Sequence, residues 1–406
     1  MWSQRSCLSA FFALLAPFLF AQHPLIADLL DAVHTDSLLH HVGAISGEFP
    51  VDVGNGPEVI LSRHKLNPGN ALAQQWMMQR LSAWGHVPVE QSFSATGKNV
   101  LVEIPGTVHP GRKVVLCAHY DAMPGGLANA PAADDDGSGT AAVLEAARIL
   151  AGIPFENTIV LALWDEEEQG KVGSAYYAGA AAANDDTLLA VVNMDAIAWD
   201  GDGDGLARIH TRSVGNSLAI KDTALQVNVD YGLNVLLAIN DPGATYSDHA
   251  SFWTEGYGSI LVIEDFDNDG NPHYHTQTDL VQYFDVPYYV SLAKLAIGTA
   301  LTFAVPDDGI PSGIDPGPSY PILVSAYPNP SEGDVRCWLD LPERAQVDLV
   351  LYDAMGKECA HIGTGLFQAG RHGFVVPLAD RSAGTYHLRA VIAGGRVATM
   401  QLIRLP

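Results

Sequence analysis

The stretch NTIVLALWDEEEQGKVGS, residues 157–174, decides the reading of the fold. From Ile159 to Trp164 every residue is apolar. That is the pattern of a strand buried on both faces, and such strands belong to sheets covered by helices on either side. Asp165, Glu166, Glu167 and Glu168 follow without a spacer. Four like charges repel, so either the run is a solvated turn or something positive collects some of them at the end of the strand. Two other apolar runs finish in the same way, RKVVLCAHYD (112–121) in imidazole and acid and TLLAVVNMDAI (187–197) in acid. KNVLVEIPG (98–106) and GSILVIEDF (258–266) read as further strands. NALAQQWMMQRLSAWG (70–85) has helical spacing with Gly85 as a stop, SGTAAVLEAARILAG (138–152) closes on Gly152, and VPYYVSLAKLAIGTALTFAV (286–305) is a long last helix. Strands alternating with helices from about residue 24 to 305 predict an α/β unit.

Beyond it the texture changes. PDDGIPSGIDPGPSYP (306–321) has the composition of a linker. After it come short alternating runs, VRCWLDL, QVDLVLYD, RHGFVVPL and GTYHLRAVIAGG, separated by Gly, Pro and Asp, which predict a small all-β sandwich over 322–406. At the other end, MWSQRSCLSAFFALLAPFLFAQ (1–22) has an early Arg5, an apolar run from Leu8 to Phe20 and a small residue, Ala21, where cleavage would fall. It reads as an export signal over 1–21, with an N-terminal anchor helix as the alternative and no other run expected to span a bilayer. With 46 acidic against 21 basic residues the net charge is −25, which argues against nucleic acid or an anionic membrane surface and favours cationic partners, metal ions included. Of four cysteines, Cys117 sits in an apolar strand and Cys7 in the signal; Cys337 and Cys359 could pair or stay free.

Several strands that each end in a ligand-type residue gather those residues at the carboxyl edge of the sheet, where open α/β folds hold ligands. His119 and Asp121 are two apart, so on a strand they share a face, and Asp121 could orient the His119 ring as a metal ligand requires; a hydrogen-bonded core histidine is the alternative. ADDDGSG (133–139) puts three acids before a helix, where one cap explains only one of them. NPHYHTQTD (271–279) contributes His275, with His273 before it and Asp279 after. His119, Asp135, Glu168, Asp195 and His275 then make a set of two imidazoles and three carboxylates, a mixture that suits zinc.

The strings AHYD, DDGSGTAAVLEAAR, DEEEQGKVGS, NMD, SDHASFW and HTQTD, in this order, resemble those of the co-catalytic di-zinc exopeptidases of peptidase family M28, a group that includes secreted bacterial leucine aminopeptidases. The resemblance spans roughly residues 60–300. It implies the zinc exopeptidase fold, a mixed and mostly parallel sheet sandwiched by helices, and two Zn2+ ions. His119 and Asp195 would hold one ion, Glu168 and His275 the other, and Asp135 would bridge them. Glu167 would be the general base for a metal-activated water and would hand the proton to the leaving amine. The peptide after the bridging acid, Asp135–Asp136, would be cis. Tyr274 takes the place from which some relatives stabilise the oxyanion, with Tyr246 as a rival. Asp165 and Glu166 would be turn or rim groups. The implied function is a secreted zinc aminopeptidase acting on peptides or proteins with a free N-terminus.

Two alternatives stand beside it. Glutaminyl-peptide cyclases of the same family share the flavour of CAHYD but typically depart from DGSG after the Asp and lack GS after the Glu pair, both of which this chain keeps. A catalytically silent surface-binding relative is disfavoured because every ligand and the base are present. AYPNPSEGDV (326–335), LVLYDAMGKEC (349–359) and AGTYHLRAVIAGGRVATMQLIRL (383–405) resemble the sorting domains of the type IX secretion system. That implies export by its machinery to the surface or surroundings of a Gram-negative cell; a carbohydrate- or surface-binding sandwich is the alternative. DGDGDG (200–205) and DFDNDG (265–270) start like calcium loops but carry Thr211 and Thr276 where the twelfth-position Glu belongs, so they read as acidic turns, with Ca2+ an outside possibility.

Overall fold

The computed structural model describes residues 23–124 and 129–307, and in the C-terminal part 323–327, 331, 333–341, 344–353, 357–368, 370–392 and 396–405. The expected export signal and the expected linker, apart from Pro306 and Asp307, lie outside these residues. The chain divides into two compact units, Met1–Asp308 and Gly309–Pro406.

The large unit is built on eight strands: β1 (Val89–Ser92), β2 (Lys98–Ile104), β3 (His109–His119), β4 (Asn157–Trp164), β5 (Thr187–Met194), β6 (Leu206–His210), β7 (Leu236–Asn240) and β8 (Ser259–Glu264). They hydrogen-bond in the order β1-β2-β4-β3-β5-β8-β6-β7. The central run β4-β3-β5-β8 is parallel, as is the β6-β7 pair, and the other three pairings are antiparallel. The sheet is therefore mixed and mostly parallel. Eight helices accompany it: α1 (Pro24–Asp31), α2 (Thr35–Ile45), α3 (Pro68–Ala83), α4 (Gly137–Leu150), α5 (Val172–Ala183), α6 (Ser217–Asp230), α7 (His249–Thr254) and α8 (Val286–Ala304).

Every residue of β4 is buried, as its unbroken apolar run requires. Its side chains alternate between two cores. Ile159, Leu161 and Leu163 join Leu116, Val192 and Val262 under residues of α2, α4 and α8, while Val160, Ala162 and Trp164 pack with Val115 and Val191 against Tyr177 and Ala181 of α5 and Phe252 of α7. The last helix, α8, is long and apolar enough to cross a bilayer, contrary to the expectation from sequence that only the N-terminal run would be. Most of α8 is instead buried, with Leu292, Ala293, Ala296, Ile297 and Ala300 in the larger core.

The small unit is an antiparallel sandwich. A three-stranded sheet of β9 (Leu323–Tyr327), β10 (Val335–Leu341) and β13 (Gly370–Val376) faces a four-stranded sheet of β11 (Ala345–Asp353), β12 (Glu358–Phe367), β14 (Gly384–Ile392) and β15 (Arg396–Arg404). Both sheets feed one core that includes Val335, Leu339, Val347, Leu349, Val376 and Leu388. Cys337 and Cys359 are both free, so the pairing that the sequence allowed does not form.

Register does the positioning. His119 pairs with Trp164 and Cys117 with Asn193, so the ends of β3, β4 and β5 are level and the residues just past them, Asp121, Asp165–Glu168 and Asp195, share one edge of the sheet.

Candidate metal centre

Each acid in the ADDDG turn has a separate task. Asp136 caps α4, with Oδ1 accepting the Gly139 N–H at 2.8 Å and Oδ2 the His119 N–H at 3.1 Å. A Cβ on Gly139 would lie 2.4 Å from that capping oxygen, which is why the turn needs glycine there. Asp134 accepts from the Ala198 N–H and the Asn271 side chain, both at 3.0 Å. Asp135 makes no such bond through Oδ2, although that atom is buried. The peptide between Asp135 and Asp136 is cis.

The two Asp135 oxygens face different partners. Oδ1 lies 3.2 Å from His119 Nε2, which is 3.5 Å from Asp195 Oδ1. Oδ2 lies 3.0 Å from His275 Nε2, itself 3.0 Å from Glu168 Oε2. These contacts are short yet not aligned as hydrogen bonds: Asp135 Oδ2 and His275 Nε2 are buried with no hydrogen-bond partner, as is Glu168 Oε1, the other oxygen of that carboxylate. Atoms that crowd together without bonding one another converge on a common point, the arrangement that an ion between them would satisfy. Asp135, Glu168 and His275 form one such group, and His119 with Asp195 a second. Asp136 also reaches that second group, but its oxygens are taken by backbone N–H donors, so Asp135 is the better ligand there.

Electrostatics agree. Burial alone would lower the pKa of both histidines, but the carboxylates of Asp121, Asp135 and Asp195 raise His119 well above the imidazole range, and those of Asp135 and Glu168 raise His275 to about 10. Burial, reinforced by Asp135, pushes Glu168 up to about 7. Asp135 goes the other way: burial opposes, and the flanking His119 and His275 hold it below the usual carboxylate range. A site that draws protons onto its histidines is one that attracts positive charge.

The loop after β4 is fixed from beneath. Asp121, just past the end of β3 and wholly buried, accepts the N–H groups of Glu167 at 3.0 Å and Glu168 at 3.2 Å, and its Oδ1 lies 3.4 Å from His119 Nδ1. It thus sets the two glutamates as well as facing the ring. Of the turn or rim places expected from sequence for Asp165 and Glu166, the rim is excluded, since they are 0% and 4% exposed in the loop after β4. Asp165 accepts from Asn70 at 2.8 Å and from the Lys98 N–H at 3.0 Å, and Glu166 meets Lys65 at 3.2 Å. At Gly173 a Cβ would fall 2.4 Å from the Asp165 carbonyl, so α5 closes on this loop only with glycine there.

A cavity of about 130 Å3 opens on the group, walled by Glu167, Tyr246, Tyr274, Ala196, Ile263 and Phe266 as well as by Asp135, Glu168 and Asp195. Burial, with Asp248, Asp195 and Asp121 adding and His119 opposing, raises the Glu167 carboxyl. The Tyr274 ring stacks on His275, centroids 3.8 Å apart, and its hydroxyl pKa is raised by burial and the nearby acids. The Tyr246 hydroxyl sits 3.0 Å from His210 Nε2. Since His210 Nδ1 accepts the Ala244 N–H, and burial lowers His210 to about 4, the neutral ring carries its proton on Nε2 and donates to Tyr246. The Tyr246 O–H is left free to donate into the cavity.

Three residues here were not assigned a role from the sequence. Asp279 accepts the N–H groups of Asp134 and Asp135, at 3.0 and 3.1 Å, and so holds the turn that presents the ligand. Asp248, fully buried with both oxygens unpartnered, adds negative charge beside Glu167. Arg63, also fully buried, ties the carbonyls of Ile45, Tyr120, Pro131 and Ala132 together beneath the acids. The acids inside quoted motifs were visible; nothing local marks Arg63. The two acidic turns read separately from sequence are joined, since Asp269 accepts the N–H groups of Gly201 and Asp202.

Comparison with known proteins fits this geometry. The description of peptidase family M28 matches residues 99–300. A probable leucine aminopeptidase of Trichophyton verrucosum is 30% identical over 210 residues, which cover 49% of this chain and 55% of that protein. A probable zinc metalloprotease of Pyrenophora tritici-repentis is 24% identical over 354 residues, 75% of this chain and 69% of the relative. Among solved structures, the LapA aminopeptidase of Legionella pneumophila shares the fold with a TM-score of 0.59 at 20% identity, over 69% of this chain and 74% of that one. The glutaminyl cyclase of Porphyromonas gingivalis shares it with a TM-score of 0.54 at 19% identity, over 66% and 98%.

Proposed function

We propose that the large unit, whose residues 99–300 match peptidase family M28, is a zinc aminopeptidase that hydrolyses the N-terminal residue from peptides using two zinc ions. The observation that carries this reading is the pair of ligand groups sharing Asp135, with its buried oxygen and the His275 nitrogen lacking any other partner. His119 and Asp195 would hold one ion, Glu168 and His275 the other. Bound zinc would supply Lewis-acid polarisation of the scissile carbonyl and lower the pKa of water.

The chain's own groups do the rest. Glu167, in the cavity wall and fixed through its N–H by Asp121, takes a proton from the attacking water and returns it to the leaving amine. Tyr246 is the stronger candidate for the oxyanion, because its proton is free to point into the cavity while its oxygen accepts from His210. The surrounding acids suit a substrate α-ammonium, and Ile263, Phe266 and Ala196 give an apolar side chain such as leucine a place to lie.

The glutaminyl-cyclase reading uses the same ligands, and a shared fold does not separate the two; DGSG and the GS after the Glu pair favour the peptidase. Metal analysis with leucyl-p-nitroanilide and glutaminyl peptides decides. Two zinc ions per chain with leucine release are expected; cyclisation without release would overturn the assignment. The N-terminal apolar run and the C-terminal motifs support the further reading that the protein is exported through type IX machinery. On that reading, deleting residues 322–406 leaves the enzyme inside the cell.

A further inference from the structure

A second, larger cavity, of about 560 Å3, is lined by the same chain segments. Glu167 and Glu168 line the metal-site cavity, and Lys171 lines this one; Tyr246 lines the first and Thr245 the second. The loop after β4 and the turn leading into α7 thus border both cavities.

Its lining is unusual for this chain. The chain has 46 acids to 21 bases, so most of its charged surface is acidic. Lys113, Arg148 and Arg208 are each ion-paired. Lys171 and Arg212 both face the cavity, and neither has a carboxylate within ion-pair distance among the described residues. Arg212 is held in place: Nε and Nη2 bond the Gly243 carbonyl at 2.9 and 2.6 Å, and the guanidinium lies 5.0 Å over the Trp253 ring. Lys171 and Arg212 act together on His249, whose pKa is lowered first by burial and further by both cations. Thr245 and Ser251 add hydroxyls, and Glu255, exposed at the rim, is the cavity's one acid.

We propose that this cavity receives a carboxylate of the peptide substrate on the far side of the scissile bond, with Lys171 and Arg212 as its counter-charges. The proposal rests on the aminopeptidase reading above and deepens it. The metal-site cavity, walled by acids, takes the ammonium end; a fixed guanidinium and a lysine next door suit the opposite charge, so a short peptide is gripped by its polarity from end to end. The carboxylate can be the C-terminus of a short peptide or an Asp or Glu side chain.

The test compares Leu-Gly-Gly, its C-terminal amide and Leu-Glu-Gly amide on the zinc-loaded enzyme, with leucyl-p-nitroanilide, which has no carboxylate, run beside them. A carboxylate bound there lowers KM about tenfold relative to the plain amide, equivalent to about 1.4 kcal/mol. A low KM for the free acid identifies the C-terminus, and a low KM for the Glu peptide identifies the side chain. In Lys171→Met and Arg212→Met the ratio moves towards one, and rising potassium chloride erodes it in the parent enzyme. Turnover of the anilide with equal KM for all three peptides overturns the proposal and leaves the aminopeptidase reading standing; no release of leucine from any substrate overturns that reading itself.

Discussion

Glu167 and Glu168 are neighbours in sequence with opposite duties. On the proposed reading Glu168 gives its lone pairs to a cation while Glu167 keeps a site for a proton, and Asp121 holds both by accepting their N–H groups. Glu167→Gln keeps size and shape but removes the proton acceptor. We expect kcat to fall by about 10^2- to 10^4-fold with zinc content unchanged by metal analysis; near-full activity would show that another group is the base. Tyr246→Phe removes the donor aimed at the substrate oxygen and should lower kcat by about 10^2-fold with little change in KM. The matching change at Tyr274 should have the smaller effect, and the reverse order would return the role to Tyr274. The proposed ligands came to notice because three apolar strands finish in acid or imidazole and two further acidic or histidine-bearing strings stand beside them. The choice between the tyrosines was not, since it depends on the tautomer of His210, a residue 36 positions from Tyr246.

At the scale of elements, β2, β3, β4, β5 and β8 were readable from their apolar runs, and α3, α4 and α8 from spacing and stops. The last two strands at one end of the sheet, β6 and β7, were not. Leu206–His210 and Leu236–Asn240 are five residues each, and β7 is only partly buried, so neither shows the long apolar run that marks the centre. The helix α2 also passed unnoticed, and it carries a titratable core group. His41 is 2% exposed, bonded to Ser37 and packed edge-on to Trp76 and Trp84. Burial lowers its pKa to about 4, with His40, Arg80 and Arg148 reinforcing and Glu145 opposing. The unfolded chain takes up the proton first, near 6.5, so stability is complete above that pH and is lost as pH falls from about 6.5 to 4. The slope for this group is about 1.4 kcal/mol per pH unit. Urea unfolding of the parent and of His41→Gln across that range should show the parent losing more; parallel curves would mean that His41 titrates normally in the fold.

At the scale of the whole molecule, the two units have separate cores, one built from β3, β4, β5 and their helices and the other from β10, β11, β13 and β14. Units with independent cores unfold as separate transitions. All five proposed zinc ligands lie in the large unit, His119 at the end of β3 and the others on loops at the same edge of the sheet. Without ions those loops carry Asp135, Glu168 and Asp195 at short range, and the only relief is protonation. Ligands that bind only the native state stabilise it by mass action, about 4 kcal/mol when free ion exceeds the dissociation constant a thousandfold. For a unit of this size that corresponds to roughly 10 °C in Tm. Calorimetry of the zinc-loaded chain should therefore show two transitions, of which only the larger, with the greater enthalpy, moves down on adding a chelator and returns when zinc is restored. If the chelator leaves both transitions in place, the acids at the sheet edge are held by protein contacts alone, and the metal centre is not what relieves their repulsion.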